Sequence, residues 1–186
     1  MNFSYIVLAA FKIEWYHILI CVAVVLAISY IVLIIVSCCF MHIFNNKIKK
    51  SSETISIFIF QKEECMAKII NLLGDISTKQ KILSDFLDNF SEKSYVVLSY
   101  KEFGNKFAES REINKEIKLI YTNIKGLKNK NQIDALFLSI NELNTGYNEE
   151  TQLYNSYVVA YNYWRNLFMT RWIKDIFKIK EKEQIK

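Results

Sequence analysis

From Trp15 to Asn46 the chain carries no Asp, Glu, Lys or Arg, and the stretch ILICVAVVLAISYIVLIIVSCCFMHIF inside that run is almost continuously apolar. A hydrocarbon core about 30 Å thick needs roughly 20 helical residues, so these 32 positions (15–46) span it with a margin for tilt. A buried core helix of that length would need a larger surrounding domain than the remaining residues provide. Trp15, Tyr16 and His17 at one end and His42 with Phe44 at the other are the amphipathic types that settle at headgroup depth. Residues 1–14, beginning MNFSYIVLAAF, read as a short interfacial lead-in.

Charge sets the orientation. Lys12 and Glu14 precede the span, whereas Lys47, Lys49, Lys50 and Lys62 follow it, so the positive-inside rule puts the N-terminus outside and the larger part in the cytoplasm, with the lipid bilayer as a partner. The apolar run is too long for the h-region of a cleaved signal peptide. Ile35-Val36-Ser37-Cys38 has the form of a bacterial lipoprotein cleavage box, and processing there would place the domain outside on a lipid anchor at Cys38.

Beyond the span, four glycines and no proline in 186 residues argue for helices and against hairpin-rich β folds and glycine-rich nucleotide cradles. Heptads agree. Ile55, Ile69, Ile76, Leu83 and Phe90 share one position and Ile59, Met66, Leu73 and Leu87 the other, with Lys62 and Gln80 as polar exceptions. A second run from Val96 through Tyr100, Phe103, Phe107, Ile117, Tyr121 and Ile124 is interrupted by Ser110 and Asn114. A third, from Ile133 to Phe168, is broken only by Glu150. The expected fold is all-α, one N-terminal transmembrane helix followed by an antiparallel bundle of long helices. The breaks fall at Ser91–Ser94 and Gly126–Asn131, and Gly74 and Gly146 are places where a helix can pause. A first helix reaching to Phe90 rises roughly 60 Å from the membrane at 1.5 Å per residue, the second returns, and the third ends at the far tip. Residues 178–186 read as a solvated charged tail.

In the last helix, Tyr154-Asn155 and Tyr161-Asn162 form a Y-N-x5-Y-N repeat, followed by Trp172-Ile173-Lys174-Asp175-Ile176-Phe177. This resembles the C-terminal signature of the LemA family, bacterial proteins with one N-terminal span and a cytoplasmic helical bundle. Phe44-Asn45 stands where that family has Tyr-Asn, and Ile69-Ile70-Asn71-Leu72-Leu73 resembles its L-I-P-N-L-V motif with Ile70 in place of proline. Met169 likewise stands where a proline is usual. The resemblance implies a LemA-like bundle over residues 47–177 and a bacterial cell-membrane location.

Seven residues apart, Tyr154 and Tyr161 share the core seam, and Asn155 and Asn162 sit at its flank, where they can cap or cross-link neighbouring helices or form a docking surface. Trp164, Arg165, Phe168, Arg171 and Trp172 combine the residue types that dominate binding hot spots, and they serve either to dock a partner or to close the bundle tip. The polar seam sites Lys62, Gln80, Ser110, Asn114 and Glu150 are expected to fix helix register.

Enzyme chemistry has little to work with. Both histidines flank the span, so neither a Ser/His/Asp set nor a two-His metal face assembles beyond it. Paired acids such as Glu63-Glu64, Asp85-Asp88 and Glu149-Glu150 read as exposed helix faces. The net charge of +5 comes from dispersed lysines rather than an arginine patch, which argues against nucleic acid as a partner. The expectation is a non-catalytic scaffold or adaptor with no cofactor, metal or small-molecule substrate, bound to a protein partner or to itself. Its alternatives are a transmembrane signal transducer relaying a membrane-embedded cue and a membrane-remodelling lipoprotein.

Overall fold

In a computed structural model the backbone is described for residues 3–74, 81–91, 97–124, 127–167, 174–175 and 178–185, and the side chains for those from Trp15 onward except Lys81 and Ser91. Among these residues the elements are four α-helices and no strand: α1 (Phe3–Leu73), α2 (Lys81–Ser91), α3 (Tyr100–Asn123) and α4 (Lys130–Asn166).

Nothing in residues 3–73 interrupts a helix, since the first glycine is Gly74, and α1 accordingly runs through the apolar segment and on into the first heptad run without a break. It is the one helix among the described residues long and apolar enough to cross a membrane. Its apolar side chains between Trp15 and Val36 are exposed apart from the half-buried Ile34, with Leu19, Val25 and Leu26 exposed by more than 60%.

The chain divides into two compact units, residues 44–160 with 182–186, and residues 1–43 with 161–181. In the first, Met66, Ile69, Ile70 and Leu73 of α1, Leu83 of α2, Ile113, Ile117 and Ile120 of α3, and Ile133 and Ile140 of α4 form one buried cluster. Each helix contributes the positions that recur every three or four residues, which is why the heptads found them. Further contacts link α1 to α4 in opposite chain order. Phe44 faces Tyr157 with ring centroids 6.4 Å apart, Ser51 bonds Glu150, and Phe58 lies over Gly146. In the second unit, Ser37 and Met41 are buried and Phe40 stacks on Trp164 at 4.5 Å.

Two expectations need correction. The heptads run smoothly from Ile55 to Phe90, yet the helix stops at Leu73 because Gly74 adopts the left-handed conformation (φ +66), its N–H bonding the Asn71 carbonyl at 3.3 Å. This is a glycine helix stop, and heptad phase continues past it because α2 feeds Leu83 into the same core. Ile76 and Gln80 lie outside the described residues. The second correction follows from the first. With an extra helix in the path, α4 ends not at a far tip but with Trp164 against Phe40 of the apolar segment. At the start of α3, the Glu102 carboxylate accepts the Ser99 backbone N–H at 2.8 Å, half of a capping box, and that bond holds the Glu102 carboxyl below its usual range.

The two glycines should respond differently to a side chain. A Cβ on Gly74 meets nothing within 4 Å, so Gly74→Ala should cost only the left-handed backbone penalty, about 1–2 kcal/mol. A Cβ on Gly146 lies 3.0 Å from Phe58 Cζ, so Gly146→Val should displace that ring and cost about 2 kcal/mol. Denaturant unfolding of both variants, with Phe58→Ala added to each, checks this: Phe58→Ala should couple to the second substitution and not to the first.

Candidate functional site

Three of the polar interruptions of the seams, Lys62, Ser110 and Asn114, are buried. Lys62 lies on the buried face of α1 and is 2% exposed. Its Nζ sits 4.1 Å above the centre of the Phe107 ring from α3, and that ring in turn stacks on Tyr147 of α4 at 3.9 Å with an interplanar angle of 4°. A cation over an aromatic face gains from the ring quadrupole most when water is excluded, and this arrangement offsets part of the cost of burying the ammonium. Enough of that cost remains to pull the Lys62 pKa down to about 8: burial is the largest cause, repulsion from Arg111 adds to it, and Glu63 works against it. Burial also pushes the Tyr147 phenol up.

Ser110 and Asn114, the two breaks in the second heptad run, are buried on α3. Ser110 Oγ donates to the Phe107 carbonyl at 2.9 Å, so it is satisfied within its own helix. Asn114 Oδ1 is buried without a hydrogen-bond partner. Glu150 is half-buried and accepts the Ser51 hydroxyl at 2.6 Å, a link between residues 99 apart in the chain.

A cleft of about 860 Å³ lies among α1, α2 and α3, where Glu63, Asp85, Glu109, Glu112 and Glu116 rim Phe86. Glu63 is 5% exposed, which corrects its reading as part of an exposed face. Lys106 occupies the cleft wall and bonds Glu109 at 2.8 Å, and that bond, helped by Glu63 and Glu102, raises its pKa. The signal in the sequence was the adjacency of Glu63 to the seam position Lys62, which puts it at the edge of the packed face. Among the described residues no three His, Cys, Asp or Glu side chains converge in a way that could hold a metal ion.

The Y-N repeat and the aromatic segment divide as follows. Tyr154 (3% exposed) and Tyr161 (7%) are both buried, and burial raises both phenols. Asn155 does not reach a neighbouring helix. Its Nδ2 donates to the Ile185 carbonyl at 2.9 Å and its Oδ1 accepts the Ile185 N–H at 2.8 Å. Asn162 is half-buried. In the other unit Trp164 is stacked on Phe40, and Arg165 donates from Nε to the Ile179 carbonyl at 2.9 Å with Nη1 3.7 Å from Glu181. Phe168, Arg171 and Trp172 lie outside the described residues. The two described members of the docking set therefore already have partners within the chain.

These bonds tie parts of the charged tail, most of whose side chains are exposed, to groups on α4. Ile185 is 6% exposed, and residues 178–185 supply backbone acceptors to Asn155 and Arg165. Alternating Lys and Glu concealed this, because the recognition is made through main-chain groups that any sequence possesses. Neither the family models, nor the curated proteins, nor the solved structures compared with this chain contain a match to it.

Lys62 should leave a signature in stability against pH. Its folded pKa lies below the unfolded value of 10.5, so the unfolded chain binds the extra proton between about pH 8 and 10.5 and stability should rise through that window. The raised Cys65 thiol and the raised tyrosines oppose this from about pH 9 upward, as the unfolded chain ionises them first. Between pH 7.5 and 9 the unfolding free energy should therefore climb, by an amount of order 1 kcal/mol. Lys62→Met should be at least as stable at pH 7 and flat over that interval, and an unchanged slope in the variant would show that another group titrates.

Proposed function

We propose that this chain is a non-catalytic, membrane-anchored helical scaffold or adaptor of LemA type, mediating protein interactions at the cytoplasmic face of a bacterial cell membrane. In this reading the apolar part of α1 crosses the bilayer once with the N-terminus outside, and α1–α4 pack beyond it as an antiparallel bundle. The observation that carries it is α1 itself, whose sequence changes from side chains apolar on every face to an amphipathic stripe without a break in the helix. A helix apolar all round suits lipid, and a striped one suits a protein core. Lys47, Lys49 and Lys50 directly after the uncharged run support the orientation. The opposite chain order of the Phe44–Tyr157, Ser51–Glu150 and Phe58–Gly146 contacts supports the antiparallel arrangement. The LemA-like residues Tyr154, Asn155, Tyr161 and Asn162 support the family reading.

Anchoring is checked by alkaline carbonate extraction. The wild-type chain should stay in the membrane pellet. Val25→Arg with Leu26→Arg should release it, since each arginine at a span centre costs about 2.5–3.5 kcal/mol on insertion. A fluorescent reporter fused after Lys186 should glow, as it does only in the cytoplasm. Crosslinking in membranes followed by affinity capture tests the scaffold role, and recovery of neither an oligomer nor a partner would remove it.

A further inference from the structure

The cleft of about 860 Å³ among α1, α2 and α3 has two unlike walls, and the residues lining it lie within one compact unit. On α2, Ile82, Phe86 and Phe90 recur every four residues and form an apolar ridge. The Phe86 and Phe90 rings have centroids 6.1 Å apart at an interplanar angle of 18°, and Ile82 is 60% exposed. On α3, Glu109, Glu112 and Glu116 follow one another at intervals of three and four residues, and Asp85 and the buried Glu63 add to them. Five carboxylates therefore face the ammonium groups of Lys106 and Lys115, in a chain whose overall charge is +5. The raised Lys106 pKa reports the same negative field, with the Glu109 bond as its largest cause and Glu63 as a further one.

The chemistry of an occupant follows from both walls. Carboxylates repel nucleic acid and anionic lipid headgroups. A single metal ion is poorly served, because among the described residues no three acids converge on one point. The carboxylates of α3 are instead strung over about 10 Å at 1.5 Å per residue, a spacing for several separate positive charges. The α2 ridge extends over about 12 Å on the same scale, and the short methylene runs of a polyamine would leave much of it uncovered. Apolar side chains flanked by Lys or Arg satisfy both walls. An amphipathic helix delivers that combination with the same recurrence of three and four residues.

We propose that this cleft docks a basic amphipathic helix of a partner protein, whose apolar stripe lies on Ile82, Phe86 and Phe90 and whose Lys or Arg side chains meet the acidic side chains of α3. This rests on the scaffold reading, because it names the surface through which such a scaffold takes its partner. Charge complementarity selects the partner and speeds its approach, and burial of the ridge supplies affinity.

The test uses the purified full-length chain in a neutral detergent. The probe is a fluorescein-labelled peptide about 14 residues long, with leucines on one helical face and lysines on the other. Binding is read by anisotropy against a baseline of micelles alone. The wild-type chain should bind this peptide about tenfold or more tightly than the same peptide with glutamate in place of lysine. Asp85→Lys with Glu112→Lys should lower the affinity about tenfold and flatten its dependence on salt. Ile82→Ser should lower it about tenfold at every salt concentration. All three positions are exposed, so the substitutions leave the core packing in place. A zero-length carbodiimide should join peptide lysines to Glu109, Glu112 or Glu116. Equal binding of the two peptides, equal binding by the variants, or crosslinks confined to other carboxylates overturns the proposal. Displacement of the peptide by spermine, with Ile82→Ser binding as the wild type does, overturns it in favour of a small polyamine. Any of these failures leaves membrane anchoring and capture of a partner by another surface standing. A chain that binds the peptide at the cleft yet yields neither partner nor oligomer in membranes keeps the docking site and removes the scaffold.

Discussion

One face of one helix organises the packed part of this molecule. Ile55, Ile59, Lys62, Met66, Ile69 and Leu73 recur at helical spacing along α1, and all are at most 4% exposed. A stripe of that kind cannot remain in water, since each large aliphatic side chain gains about 1.5–3 kcal/mol on burial, and no single partner helix covers it. α2, α3 and α4 supply Leu83, Ile113, Ile117, Ile133 and Ile140 to cover it. The spacing of those residues, rather than helix propensity, determines which stretches become core-facing.

Lys62 breaks the stripe and shows what the core tolerates. An ammonium removed from water is expensive, and the structure answers with an aromatic face instead of a carboxylate at bonding distance: Phe107 lies beneath the charge, backed by Tyr147. The lowered pKa records the uncompensated remainder. Lys62 of α1, Phe107 of α3 and Tyr147 of α4 thus meet at this level. The buried, partnerless oxygen of Asn114 belongs to the same class of cost.

The seams were legible because burial in a helix is periodic. Lys62, Ser110 and Asn114 stood out as polar residues on apolar positions, and all three are buried there. The division of the first heptad run was less legible, since Gly74 is tolerated inside helices and the hydrophobic phase resumes beyond it. Gly146 stays helical with Phe58 beside it, whereas Gly74 takes φ +66 and ends a helix. The bonds made by residues 179 and 185 were not legible at all. Lys and Glu at alternating positions signal a solvated segment, and Asn155 recognises the backbone of Ile185, which carries no mark in the sequence.

The amino-acid sequence by itself determined the helical class, the single apolar helix and the faces that must be buried, because each follows from composition or from spacing within a few turns. The tertiary structure alone decided that Phe107 lies under Lys62, that Ser51 meets Glu150 and that Ile185 returns to Asn155. These pairs are separated by 30 to 99 residues or joined across helices. Their formation depends on which complete faces cover one another, a global packing choice that no local stretch of the chain encodes.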